Sequence, residues 1–258
     1  MVTSSDAAFL SAAMLADGAD LTTFDDIRHK GVVRGERDRK GHTKRANVPF
    51  SKLQDIAEYG REIDIGTRET LFAQGAPADY VYIVTCGYAK IYSLLPDGRC
   101  MVHGFVFPGD YLGLAMNGAY AYFAATLTPA TVRRFGIHDI ERLKERHSDI
   151  VKRLLCAASE ELVAAQDHMV TLGRKTAVGK VASFLVMMQK KLEAGHENGD
   201  RIYLPMTRSD IADYLGMSVE TISRTMSRLA VDGIVRKNGE REILCLRPQA
   251  LIDLANTG

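Results

Sequence analysis

Glu220, Ser223, Arg224, Ser227 and Arg228 are the residues of this 258-residue chain whose types and spacing could do chemistry. Steps of three and four place them on one side of a helix. A guanidinium there can donate to O6 and N7 of guanine. A carboxylate can accept from N4 of cytosine, and a hydroxyl can do either. Glu220 and Arg224 are four apart, so they lie one above the other and can support each other while each meets a base edge. A carboxylate on a face that only adhered to phosphates would be repelled by them. Its presence points to reading of sequence. An ordinary helical hairpin shares the apolar pattern of this segment but has no use for such an outer face.

The elements around these residues are legible. In TRSDIADYLGMSVETISRTMSRL (207–229), Thr207 or Ser209 can cap a helix whose apolar side is Ile211, Ala212 and Leu215. Gly216 allows a sharp turn, and Ser218 caps the next helix, expected over 219–230, whose inner side is Ile222, Met226 and Leu229. Two helices joined by a three-residue turn containing Gly form a helix-turn-helix. Ala212 is small enough for the helices to approach closely. IVRKNGEREIL (234–244) then reads as strand, Asn-Gly turn and strand, which makes the module winged. Glu220, Ser223 and Arg224 are the candidate base readers. Thr207, Ser218, Thr221, Arg228, Arg236 and Lys237 are candidate phosphate contacts, and Arg241 shares the wing.

A second pattern concerns assembly. Val151, Leu155, Ala158, Leu162, Ala165, Met169 and Leu172 follow one another in steps of 4, 3, 4, 3, 4 and 3. This is an a/d seam, narrower than a core-facing stripe, and it predicts a partner helix from a second copy. The alternative is one amphipathic helix lying on its own domain.

Upstream, residues 64–136 hold short runs rich in Val, Ile, Tyr and Thr, cut by Gly and Pro: Leu71-Phe72, Tyr80–Thr85, Tyr88–Leu95, Cys100–Phe107 and Ala130–Phe135. Asp97-Gly98 between two such runs is a hairpin signal. The fold class is therefore α+β: a jelly-roll-like β-roll, a long dimerisation helix and a C-terminal winged helix-turn-helix. Phe50, Leu53, Ile56 and Ala57 suggest a helix over 48–63. The expected divisions are an N-terminal extension over 1–47, the β-roll over 48–136, the dimerisation helix over 137–173 and the DNA-binding domain over 174–258. Between Arg28 and Arg45 eight bases face two acids. The run reads as a solvated tail, with a basic arm against phosphates as the sharper alternative.

Composition narrows the class. Hydrophobic residues make up 46% and charged residues 25%, which excludes a wholly disordered chain or a collagen-like fibre. Thirty-three bases against 32 acids leave a net charge of +1, so any basic face must be local. No apolar run reaches the length of a membrane span, and the first residues do not read as a signal peptide, so a cytoplasmic protein is expected. Cys86, Cys100, Cys156 and Cys245 are scattered and suggest neither disulfides nor zinc. His103, His138, His147 and His168 are isolated from one another, so no metal site is expected. Tyr120, Tyr122 and Phe123 read as core or contact aromatics. Cys245 reads as a small buried residue, with oxidation near DNA as the alternative. No Ser-His-Asp spacing, P-loop or HExxH is present, so no enzyme is expected.

Over roughly 48–250 the chain resembles the CRP/FNR superfamily of bacterial transcription factors. LFAQGAPADYVYIVTCGYAKIY, DG at 97–98 and FPGDYLG at 107–113 stand in the order of that family's sensor domain. LPMTRSDIADYLGMSVETISRTMSRL (204–229) is similar to the FNR/FixK branch, whose E-x-x-S-R signature falls on Glu220, Ser223 and Arg224. The resemblance implies a homodimer on double-stranded DNA of the TTGAT…ATCAA type. Arg224 and Glu220 would read the G·C pair and Ser223 a flanking A·T pair, with RNA polymerase as a further partner.

Two departures bear on cofactors. The first 85 residues hold no cysteine, unlike the chain that carries FNR's iron–sulfur cluster. PGDYLGLAMNGAYAYFAATL (108–127), where CRP holds cyclic AMP, has no Arg and no Glu, so a cyclic phosphate would lack its cationic partner. No cofactor is expected, as in FixK-type members. The alternative is a CRP-like regulator whose DNA affinity is gated by a small ligand in the β-roll.

Overall fold

The computed structural model describes residues 60–115, 117–146, 148–193 and 200–257. The basic run at 28–45, residues 48–59 and His147 lie outside them. Arg61–Ile65 is a strand, β1, so the helix expected over 48–63 does not extend to Ile63. Ile63 and Ile65 alternate with Glu62 and Asp64 and pack into the roll, the period of two of a half-buried strand.

Among the described residues, eight strands form the roll: β1, β2 (Thr70–Phe72), β3 (Tyr80–Cys86), β4 (Ala89–Leu94), β5 (Cys100–Val106), β6 (Tyr111–Leu112), β7 (Phe123–Thr126) and β8 (Ala130–Gly136). They make two antiparallel sheets, ordered β1-β8-β3-β6 and β2-β7-β4-β5. The two-residue β6 and the Ala-rich β7 have weak strand signals, and the sequence reading missed both. The β4–β5 hairpin turns at Asp97-Gly98 as expected. Gly98 has φ +83°, and the Asp97 side chain accepts from the Arg99 main-chain N–H at 3.1 Å.

Strand β3 is buried on both faces. Tyr82 and Val84 face the roll interior with Phe72, Leu112, Tyr120 and Ala124. Val81 and Ile83 face outward onto Phe135 and Ile140. Ile140 belongs to α1 (Ile137–Arg146), which is followed by α2 (Ser148–Arg174). The stretch 137–173, expected as one helix, is thus two. The first is held on the roll by Ile140.

The C-terminal part runs α3 (Ala177–Glu193), β9 (Arg201–Tyr203), α4 (Arg208–Leu215), α5 (Val219–Val231), β10 (Val235–Lys237), β11 (Glu242–Cys245) and α6 (Pro248–Asn256). Its core joins Leu185 and Met188 of α3, Ile211 and Leu215 of α4, Ile222 and Leu229 of α5, and Leu251 of α6, each almost fully buried. Val102, Phe107 and Leu127 from the roll belong to the same cluster, so the outer face of the β4–β5 sheet is continuous with the core of this module. Phe105 meets the Tyr214 ring at 5.2 Å and Tyr88 meets that of Tyr203 at 5.9 Å.

Candidate nucleic-acid interface

The N-cap of α4 is Thr207, not Ser209. Its hydroxyl accepts the Asp210 N–H, and Asp210 Oδ2 accepts the Thr207 N–H at 2.8 Å, a complete capping box. The Thr207 hydroxyl also lies 2.6 Å from Asp210 Oδ2, so this candidate phosphate contact is engaged within the protein. Gly216 ends the helix at φ +60°, a left-handed turn in which a side chain would be strained. Ser218 then caps α5 by accepting the Thr221 N–H at 3.1 Å, with their hydroxyls 2.8 Å apart.

Burial of Ile222, Met226 and Leu229 orients α5 and turns the opposite side outward. The Arg224 guanidinium donates to the Glu220 carboxylate at 2.6 Å, and their side chains are 80% and 71% exposed. A pair this exposed contributes about 0–1 kcal/mol, so either partner can exchange it for a base at small loss. Ser223, half-buried on the same face, accepts from Nη1 of Arg208 at 3.3 Å. Sequence reading passed over Arg208, whose place beside Ser223 depends on how α4 crosses α5. Arg228 lies 3.8 Å from Asp232 at the far end of α5.

The wing is a three-stranded sheet ordered β10-β11-β9, wider than the two strands read from the sequence. Val235 pairs with Cys245 and Lys237 with Ile243, around Asn238-Gly239. Arg236 and Lys237 are exposed, and Arg241 reaches the Pro205 carbonyl at 3.5 Å. Cys245 is buried at 3% exposure, as a small core residue would be.

The seam residues Leu155, Ala158, Leu162, Ala165 and Met169 are exposed on α2, whereas Leu172 is half-buried near Gly216. The side chain of Val151 lies outside the described residues. Val163 and Val170, which the seam count omitted, are exposed beside it at 55% and 56%.

Inside the roll, Phe72 and Tyr120 stack with ring centres 3.9 Å apart, flanked by Tyr82 and Tyr122. The Tyr120 hydroxyl donates to the Tyr80 carbonyl at 2.9 Å, and burial raises its pKa. Burial also pushes Tyr122 up to about 12. Among the histidines, His103 bonds Ser93 at 2.8 Å and His138 is exposed beside Glu141. His168 stacks on Tyr214. Among the described residues no three His, Cys, Asp or Glu side chains gather as metal ligands, and no helix is long and apolar enough to cross a membrane.

Residues 63–147 match the cyclic nucleotide-binding domain and 179–254 the Crp-like helix-turn-helix domain. The nitrogen fixation regulation protein FixK of Bradyrhizobium diazoefficiens is 37% identical over 190 residues, 74% of this chain and 80% of that protein. The transcriptional activator protein FnrL of Cereibacter sphaeroides is 32% identical over 199 residues, 76% and 79% of the two chains. The structure of FixK2 from Bradyrhizobium japonicum superposes with a TM-score of 0.72 at 34% identity, covering 77% of this chain and 98% of that one. With an exposed polar face on a capped helix-turn-helix behind a β-roll, and relatives of this extent, the chain belongs to the CRP/FNR family of DNA-binding transcription regulators and is FixK-like within it.

Proposed function

We propose that this chain works as a homodimer that binds a two-fold symmetric TTGAT…ATCAA-like site, with one α5 in each half-site. Glu220, Ser223 and Arg224 read bases. Ser218, Thr221, Arg228, Arg236 and Lys237 contact phosphates around them. The observation that carries this reading is the outward-facing Glu220–Arg224 pair on a helix whose other side is locked in the core. The exposed apolar seam on α2 supports the dimer, because Leu162 and Met169 are 59% and 62% exposed in one chain and have a matching row on a second copy. RNA polymerase is the expected further partner, and no membrane is involved.

The DNA-binding form needs no cofactor. The stacked rings of Phe72, Tyr82, Tyr120 and Tyr122 support this, since they occupy the roll interior with largely apolar surface. In vitro selection of bound DNA by the ligand-free protein tests the reading. Recovery of a palindrome with half-site centres about 34–36 Å apart is expected. Recovery only after a cyclic nucleotide is added would replace it with the ligand-gated alternative.

A further inference from the structure

We propose that Arg208 is a specificity-determining residue: by donating to the Ser223 hydroxyl it commits that hydroxyl to give its own proton to a base. The inference rests on the reading of α5 as the base-facing helix.

A serine hydroxyl is one donor with two acceptor lone pairs, and it rotates freely. Facing a base edge alone, it pairs equally with an acceptor such as thymine O4 or adenine N7 and with a donor such as cytosine N4 or adenine N6. A guanidinium only donates. With Nη1 of Arg208 3.3 Å from the Ser223 oxygen, one lone pair is taken and the hydroxyl hydrogen is turned away from the cation. The positive charge also weakens the oxygen as an acceptor for a second donor. Ser223 then meets a base as a donor, and acceptor edges are favoured over donor edges.

The surroundings leave this arrangement undisturbed. Serines within helices often return their hydroxyl to the preceding turn. Ser227 does so, donating to the Ser223 carbonyl at 2.9 Å. Among the described residues, the Ser223 hydroxyl has Arg208 as its hydrogen-bond partner, so its proton is available. Arg208 is the first residue of α4, set in place by the Thr207–Asp210 capping box and by the packing of Ile211 against the core. The contact joins residues 15 apart on the two helices of the motif. One substitution on the supporting helix therefore alters what the reading helix presents.

Binding of the full-length protein to its selected site, and to every single-base-pair variant of one half-site, tests the proposal. Wild type, Arg208→Ala, Arg208→Lys, Ser223→Ala and the Arg208→Ala/Ser223→Ala double variant are compared. Arg208→Ala removes a cation from a helix N-terminus, so α4 keeps its stability; circular dichroism confirms folding. Arg208→Ala is expected to lower discrimination about five- to tenfold at the pair that Ser223 faces, leaving preferences at the Glu220 and Arg224 pair unchanged. Arg208→Lys restores part of it, and the double variant matches Ser223→Ala at that position. An equal loss on all sequences would make Arg208 a phosphate contact and overturn the proposal, as would additive losses in the double variant. If Ser223→Ala relaxes one position and Arg208→Ala does not, the Arg208 assignment alone fails. If Ser223→Ala changes no base preference, the reading of α5 fails at that residue, and the proposal with it.

Discussion

The Lys90 ammonium and the Asp210 carboxylate meet at 2.5 Å across 120 residues of sequence, joining strand β4 of the roll to the first helix of the helix-turn-helix. Their side chains are only 19% and 10% exposed. Burial alone would raise the Asp210 pKa, but the bonds from Lys90 and Thr207 outweigh it and hold the carboxyl below its ordinary value. Asp210 thus takes part in capping α4 and anchors it to the roll at once.

Lys90→Ala leaves a buried carboxylate without its cation. It should destabilise the protein by about 2–4 kcal/mol, read as a lower urea midpoint. Asp210→Asn in that background should recover part of the loss. The lowered Asp210 pKa sets the acid limb: its stabilisation is complete above the unfolded value of 3.8 and disappears as pH falls through the folded value. A Lys90→Ala midpoint equal to wild type would remove the latch.

Leu162→Glu should give a folded monomer, because it places a charge in the exposed row of α2. Sedimentation at micromolar concentration distinguishes it from the dimer proposed for the wild type. Unchanged assembly would send the dimer contact elsewhere.

Glu220→Ala and Arg224→Ala should each lose about 1–3 kcal/mol of discrimination at one base pair per half-site. Arg236→Ala should weaken binding to all sequences and reduce the salt slope by about one. Titrations at several salt concentrations separate the two behaviours. Equal loss of specific and nonspecific binding in all three would contradict the division of roles.

His168 links α2 to the DNA-binding module by stacking on Tyr214, ring centres 4.0 Å apart at 10°. Both of its nitrogens are buried from solvent. Burial is the main cause of its lowered pKa. His103 on β5 and Lys180 on α3 add repulsion, while the Tyr214 main chain partly offsets it. The folded state therefore binds fewer protons than the unfolded one. Stability is unaffected above about pH 6.5 and declines as pH falls below it. His168→Phe keeps the stack and removes the titration, so the urea midpoint should fall less between pH 7.5 and 5.5. His103, also lowered by burial, supplies the slope that remains. An identical pH dependence in the two proteins would exclude His168 as a source.

The helix-turn-helix was legible because its signals are local. Caps, a Gly turn and apolar steps of three and four lie within 23 residues, and the outer face follows from the inner one. The roll was legible where β-branched and aromatic runs met Gly and Pro. It was hidden where strands were short or rich in Ala, as at β6 and β7, and where the helix expected over 48–63 was carried into the start of β1. The C-terminal helix α6 was left unassigned.

By itself, then, the sequence determined the order of the strongly patterned elements, the helix that carries Glu220 and Arg224 on its outer side, and the apolar row of α2, since each depends on the spacing of near neighbours. Tertiary structure alone decided that Asp210 would find Lys90, that Arg208 would reach Ser223, and that His168 would lie on Tyr214. Periodicity says which side of an element is apolar but carries no record of what packs against it. Those partners come from the crossing of elements distant in the chain.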